Sequence, residues 1–364
     1  SQDREGGRIK VLWNATEDLE VLWSSSYQAT ESMNDMGLIT YGKDNITQGM
    51  PISGQPWSVF AAALGKTLAP ISLGNASQND WGHSEDKMER HILTLNWSLP
   101  GHSLRSVSAY EDVSIFVDQD QDRTSLDLSN LAAASEARVL TQEFVLSSES
   151  DSKLSYLAGV FYQEEDLITD VTLMDGADLI ALRRGLILPS TEVSVPRNNS
   201  SQAVFASATY EFTDELRLTA GVRYTEDTKE MVQTMRLPGP FPLLTTIDGN
   251  ETFGEWTYST KLQYDLTPDK MLYLAFDTGF KAGGFNAQNA GCLLSGFRFG
   301  CLTADQLNFE PETTDSLEAG IKSEWLDGRI RVNGAIFIQT YDDYHVAEAQ
   351  PAQAFVLINN AAEV

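Results

Sequence analysis

At 364 residues the chain is long enough for one large domain or two, and its 42% hydrophobic content is ordinary for a folded protein. Its 25 Lys and Arg against 52 Asp and Glu give a net charge of −27, which repels a phosphate backbone and excludes nucleic acid as a partner. No run reaches the roughly 18 consecutive apolar residues of a membrane-spanning helix; Val59 to Leu64 comes nearest, so any span of a membrane is a β-strand.

The N-terminal SQDREGGRIK lacks the charged start, apolar core and cleavage site of a secretory signal, and the chain is expected to be a mature or truncated piece. Strand patterns then follow one another: 7 to 16, 19 to 29, 88 to 99, 104 to 117, 138 to 148, 154 to 165, 202 to 212, 216 to 226, 253 to 266, 271 to 281, 314 to 325, 329 to 341 and 353 to 359. Most are about 10 to 14 residues long, against roughly 5 or 6 for a strand in a soluble protein. Because strand side chains alternate between two faces, LRLTAGVRYTED puts Leu216, Leu218, Ala220, Val222 and Tyr224 on one side and Arg217, Thr219, Gly221, Arg223 and Thr225 on the other. LSYLAGVFYQEE does the same with Leu154, Tyr156, Ala158, Val160 and Tyr162. In LEAGIKSEWLDGRIRVNGAIF, Ile321 and Trp325 before Asp327-Gly328 continue into Ile330, Val332 and Ile336 after it, the signature of a hairpin closed by a two-residue turn.

The connections alternate strictly in length. Short turns (ED, PGHS, ESDSK, TDE, TPDK, DGR) interleave with long polar segments, 30–87, 118–137, 166–201, 227–252 and 282–313. In an up-and-down meander this puts every tight turn at one end and every long loop at the other. Trp13, Trp23, Trp97, Tyr210, Trp256, Tyr264 and Trp325 sit near strand ends, as interfacial aromatics do. Strand length, loop asymmetry and a continuous apolar file predict an all-β fold: an antiparallel up-and-down transmembrane β-barrel, present as about 13 strands of a larger barrel, in a single segment over 1–364, with short periplasmic turns and long extracellular loops. A soluble β-sandwich leaves the length and the asymmetry unexplained.

The motifs LYLAFDTGFKAGGFN (Leu272 to Asn286) and FEPETTDSLEAGIKSEWLDGRIRVNGAIFIQTYDDYHV (Phe309 to Val346), with TQEFVLSS, YLAGVFYQEE and LTAGVRYTEDTKE upstream, resemble the barrel of TonB-dependent outer-membrane receptors. The resemblance covers most of the chain from about Met88 onward. It implies a bacterial outer-membrane location, a barrel of about 22 strands closed by a plug domain, and uptake of a scarce nutrient such as a siderophore–iron complex, cobalamin or a glycan, energised through TonB. The implied partners are outer-membrane lipid and lipopolysaccharide, the protein's own plug, the TonB complex reached through a missing N-terminal region, and the small-molecule nutrient. About thirteen strands are too few for such a barrel, no plug-like domain or TonB-contacting box precedes them, and INNAAEV is not an aromatic-ended closing strand. The chain is therefore expected to be the middle of a receptor. A passive porin-type channel, and a barrel serving adhesion or protein recognition, are the alternative readings.

Cys292 and Cys301 flank LLSGFRFG in one polar loop. In a protein exported through an oxidising periplasm they are expected to form a disulfide, with two free thiols or a metal pair as the other readings. DQDQD (Asp118 to Asp122) places carboxylates at alternate positions, but Arg123 stands where an EF-hand needs Gly and Ser129 where it needs Glu, so a solvated acidic loop is expected there. GFKAGGFN lacks the strand–turn–helix setting of a phosphate loop. Substrate contacts, if carried by the loops, fall to Trp57, Trp81, Lys281, Asn286 and Arg298, with loop packing as the competing role for both tryptophans. The lumen file of Arg217, Arg223, Lys261, Lys322, Arg329 and Arg331 would meet plug and water. The four histidines are scattered, no catalytic constellation is present, and neither enzyme activity, a cofactor nor a metal site is expected.

Overall fold

A computed structural model of the chain describes residues 2–33, 61–66, 82–120, 125–149, 152–182, 190–237, 243–286, 307–350 and 355–361. Twelve strands form one antiparallel sheet: β1 (Gln2–Asn14), β2 (Leu19–Met33), β3 (His83–Leu99), β4 (His102–Asp120), β5 (Ser129–Ser148), β6 (Leu154–Asp175), β7 (Thr191–Glu211), β8 (Leu216–Leu237), β9 (Leu243–Thr267), β10 (Lys270–Lys281), β13 (Glu312–Trp325) and β14 (Ile330–Asp342). Each pairs with its neighbours in sequence, apart from the step β10 to β13 over an excursion that contains β11 (Gly284–Phe285) and β12 (Asn308–Phe309). Beyond β14, β15 (Tyr344–Gln350) and β16 (Phe355–Ala361) pair with one another. Helix α1 (Ala177–Leu182) follows β6.

The meander and its asymmetry are those expected from the alternation, with three differences. First, the strands run further. β5 to β9 have 20 to 25 residues, so much of 129–137, 166–175, 191–201, 227–237 and 243–252, expected as loop, is strand. These extensions carry polar side chains on both faces, as in Thr228, Lys229 and Glu230, so the apolar file that marks a half-buried strand stops while the ladder continues. Trp256 accordingly lies inside β9 and not near its end. The acidic run starts in the same way: Asp118 and Asp120 belong to β4, and Asp120 is buried where a solvated loop was expected. Second, the segment expected as a thirteenth strand of the wall at 353–359 is β16, which joins β15 instead. Third, the hairpin after β13 closes outside the pair Trp325↔Ile330, making 326–329 a four-residue turn. Leu326 joins Asp327 and Gly328 at positive φ (55, 57 and 80°), and the Arg329 N–H returns to the Leu326 carbonyl at 3.3 Å.

The outward face is apolar and open. Ile336 and Ile338 on β14 are 77% and 73% exposed, and Val160, Val204 and Leu274 stand out from the middle of the sheet. A water-facing surface with so continuous an apolar file would aggregate; a lipid-facing one is stable. Aromatics mark its limits on single strands. Tyr156 and Tyr162 on β6, and Trp256 and Tyr264 on β9, are six and eight residues apart, or roughly 20 and 27 Å along the strand, close to the ~25 Å apolar band of outer-membrane barrels. The polar residues within that band satisfy one another: Gln142 Nε2 donates to Ser106 Oγ at 3.0 Å and its Oε1 accepts from Ser108 Oγ, as polar groups in hydrocarbon must.

The inward face is polar and tied together. Arg217 pairs with Asp265 at 3.0 Å, Arg331 with Glu324, and Arg90 with Glu111. Lys261 and Lys322 flank the Tyr273 ring at 5.3 and 5.7 Å, and Arg223 lies over Phe161 and Phe205. Two aromatic rings lie across glycines on the neighbouring strand: a Cβ on Gly320 would come within 2.5 Å of Tyr273, and one on Gly159 within 2.5 Å of Phe205. The fully buried apolar side chains Leu126, Leu128 and Leu357 belong to the loop-side end of the molecule and not to the wall.

Candidate functional site: the outer vestibule

At the end opposite the tight turns, the excursions fold back over the inward face of the sheet. β11 and β12 bring Phe285 and Leu307 against Val193, Val195 and Met231 of β7 and β8. Gly284 is needed at this approach, because a Cβ there would meet the Phe309 ring at 2.8 Å. Asn286 then locks the layer. Its backbone N–H donates to Leu307 O at 2.7 Å, its Nδ2 donates to Ile358 O at 2.9 Å and its Oδ1 accepts from Ile358 N at 2.8 Å, so one amide side chain pairs with β16 as a strand backbone would. Asn360 does the same from the other side, accepting from Glu310 N at 2.8 Å and donating to Glu310 O at 2.9 Å and Asp343 O at 2.8 Å.

Lys281, at the outer end of β10, donates to Glu312 Oε2 at 3.1 Å. The same oxygen accepts from His345 N at 2.7 Å, the His345 ring bonds Glu310 O at 2.7 Å, and Phe309 packs edge-on against that ring at 4.9 Å. These bonds fix the rim at β10, β12, β13 and β15.

Between rim and wall lies a cavity of about 450 Å³, with Arg197, Asn199 and Lys229 on the wall side and Phe285, Asn286 and Phe309 on the other. A second cavity of about 300 Å³ opens on the outward side of the same wall around Pro196, which has no N–H for the β7–β8 ladder. Arg197 and Met231 line both.

A separate clasp ties three connections together. Asp178 of α1 accepts from Lys66 Nζ (Oδ2, 2.6 Å) and from Asp127 N at 3.0 Å, while Asp127 O accepts from Asp178 N at 2.9 Å and Asp127 Oδ2 from Ala177 N at 2.9 Å. Burial raises the pKa of Asp178, but the hydrogen bonds from Lys66 and Asp127 and the Lys66 charge outweigh it and hold the carboxyl below its ordinary value.

Of the residues singled out by sequence, Lys281 lies at the rim in its pair with Glu312, and Asn286 lines the cavity. Trp57, Trp81, Arg298, Cys292 and Cys301 lie outside the described residues, as does Asp122 of the acidic run. Arg197, Lys229 and Phe309 escaped sequence reading; Arg197 and Lys229 sit in the polar strand extensions, where a cation looks like any solvated charge. Among the described residues no three His, Cys, Asp or Glu side chains gather as a metal site would require.

The family model described as "TonB dependent receptor-like, beta-barrel" matches residues 23–364. Among solved structures, the chain is similar to the ferric yersiniabactin uptake receptor FyuA of Yersinia pestis (TM-score 0.69, 14% identity, 95% of this chain and 46% of that one). It is also similar to the siderophore receptor PiuA of Acinetobacter baumannii (0.63, 14%, 100% and 52%) and to the copper transporter OprC (0.63, 12%, 99% and 48%). The chain thus spans about half the length of these proteins.

Proposed function

Because the chain belongs to the TonB-dependent receptor-like β-barrel family, whose members are outer-membrane proteins of Gram-negative bacteria, we propose that it forms part of the wall and outer mouth of a receptor that imports a scarce nutrient. The observation that carries this reading is the vestibule. A passive pore is served by an open mouth, whereas here Asn286, Asn360 and the Lys281–Glu312 pair fold the excursions inward to make a walled cavity over the lumen. Its volume falls within the roughly 300–1,000 Å³ of small-molecule sites.

In this account the lumen face of Arg223, Lys261, Lys322 and Arg331 meets the plug of the full-length receptor, and the plug gates passage on energy delivered through TonB. Trp57, Trp81 and Arg298 make first contact with substrate from the loops, a Cys292–Cys301 disulfide pins one of them, and Lys281 and Asn286 shape the cavity in which substrate settles. Lipopolysaccharide surrounds the outer half of the wall. The chain does no covalent chemistry of its own. Siderophore receptors and a copper transporter share this fold, so the fold does not choose the substrate; vestibule and loops do.

The test is uptake of radiolabelled iron chelates by cells that lack the receptor gene or carry the full-length gene, each with and without a functional TonB. Uptake that needs both the receptor and TonB supports the proposal. Uptake that follows the receptor but is indifferent to TonB would replace it with a passive channel.

A further inference from the structure

We infer that the vestibule selects an anionic, flat-faced substrate, taking its negative charge between Arg197 and Lys229 and its flat face against Phe285 and Phe309. This rests on the import function proposed above and names the chemical class imported.

Arg90, Arg138, Arg217, Arg236 and Arg331 pair with carboxylates, and on the inward face Arg223, Lys261 and Lys322 lie over aromatic rings. The side chains of Arg197 and Lys229 make no ion pair within 4.0 Å and no hydrogen bond with any described residue, although an acid stands near each. Glu165 lies on β6 two residues from Leu167, the partner of Arg197, and acts on the guanidinium only through space; Glu251 lies directly across from Lys229 on β9. Both acids are held by amides instead: Asn199 Nδ2 donates to Glu165 at 2.8 Å and Asn308 Nδ2 to Glu251 at 3.3 Å. Two asparagines thus engage Glu165 and Glu251, and a guanidinium and an ammonium line the cavity without a direct partner among the described residues.

Geometry brings the two cations together. Asn199 pairs with Lys229 and Arg197 with Met231, so Arg197 and Lys229 are diagonal neighbours on the inward face, roughly 7–8 Å apart at the backbone and within reach of one anion at the ends of their side chains. The guanidinium offers a planar fork to oxygen pairs and the ammonium a point charge.

The facing wall is aromatic and rigid. Phe285 is packed with Val195 and Met231 and sits where a Cβ on Gly249 would clash with it at 2.5 Å; Phe309 is fixed between Gly284 and His345. Rings held this way lose little freedom on binding a flat ligand. Arg8 and Lys10 also share a cavity, but on β1 at the edge of the sheet, with no aromatic side chain lining it and Arg90 beside them already paired to Glu111.

The experiment uses detergent-purified full-length receptor and two ferric chelates of similar size: a trianionic tris(catecholate) with flat aromatic arms and a neutral tris(hydroxamate). Binding is read from quenching of intrinsic tryptophan fluorescence at low and high salt. The wild type is expected to bind the tris(catecholate) more tightly, and less so in high salt. R197Q/K229Q should weaken that binding about 10- to 100-fold, the value of charged hydrogen bonds, and leave the tris(hydroxamate) unchanged. The charge-keeping R197K/K229R should retain most of the affinity, which separates lost charge from lost folding. Equal binding of the anion by R197Q/K229Q, or a wild type that prefers the neutral chelate, overturns the inference while TonB-dependent uptake leaves the import function standing. A receptor that binds neither probe also overturns the inference, and absence of energised uptake in the same strain removes the import function with it.

Discussion

Asp178 shows what one residue does for the loop side of the molecule. Its carboxylate joins Lys66, the Asp127 backbone and α1, and Gly176 next to α1 leaves room for this, since a Cβ there would meet Asp127 O at 2.2 Å. A carboxyl whose folded pKa is depressed contributes stability that is fully present above its unfolded pKa and lost as pH falls through the folded value. The clasp is therefore at full strength from neutral pH down to the ordinary carboxylate pKa and weakens progressively as pH falls below it. D178N removes the charge at every pH, and hydrogen exchange over 125–149 and 152–182 at pH 7 is expected to show the Asp127 and Ala177 amides exchanging about 10-fold faster than in the wild type, the scale of one charged hydrogen bond. Exchange equal to the wild type at pH 7 would mean that the clasp holds nothing. None of this is legible in the sequence. Lys66, Asp127 and Asp178 are far apart in the chain, and only the meander brings their loops to one end. Asn286 lies in GFKAGGFN, and its bond to Ile358 crosses 72 residues that no local pattern connects.

On the scale of the strand, alternation carries the fold. The period-two files on β6, β8, β13 and β14 are read directly from Leu154 to Tyr162, Leu216 to Tyr224 and Leu317 to Ile338, because a strand between lipid and a polar lumen has no other way to arrange its side chains. The same pattern hides the upper half of the wall. Above Tyr162 and Tyr224 both faces meet water, as Glu164, Glu165 and Asp166 do, and the contrast that defines a strand in sequence disappears while the backbone ladder continues. The consequence is an asymmetry in mutational cost. Val160, between Tyr156 and Tyr162 on the lipid side, is expected to destabilise the barrel by about 2–4 kcal/mol when changed to Arg, whereas T141R on the lumen side of neighbouring β5 should cost less than about 1 kcal/mol. Denaturant titration of the full-length receptor in lipid vesicles, followed by electrophoretic mobility, measures both. Equal costs would put lipid and water on the wrong faces or on neither.

The molecule as a whole is a boundary. Its exposed apolar file faces outward, ion pairs such as Arg217–Asp265 and Arg331–Glu324 cross the inward face, and its buried cluster of Val195 and Met231 belongs to the vestibule. Strand length, loop asymmetry and the apolar file were enough to reach a partial barrel, since those properties follow from the two solvents. The vestibule was not reachable, since it depends on how β11, β12, β15 and β16 return to a wall that only exists once twelve strands are in register. That the two faces of this sheet meet lipid and aqueous lumen can be measured by cysteine scanning along the β13–β14 hairpin of the full-length receptor in native outer membranes, with nitroxide labels read for oxygen and for water-soluble relaxant. A strict alternation is expected: labels at 321, 332 and 336 accessible to oxygen, and labels at 322, 333 and 335 accessible only from the aqueous side. Accessibility to the water-soluble relaxant on both faces, or on neither, would contradict it.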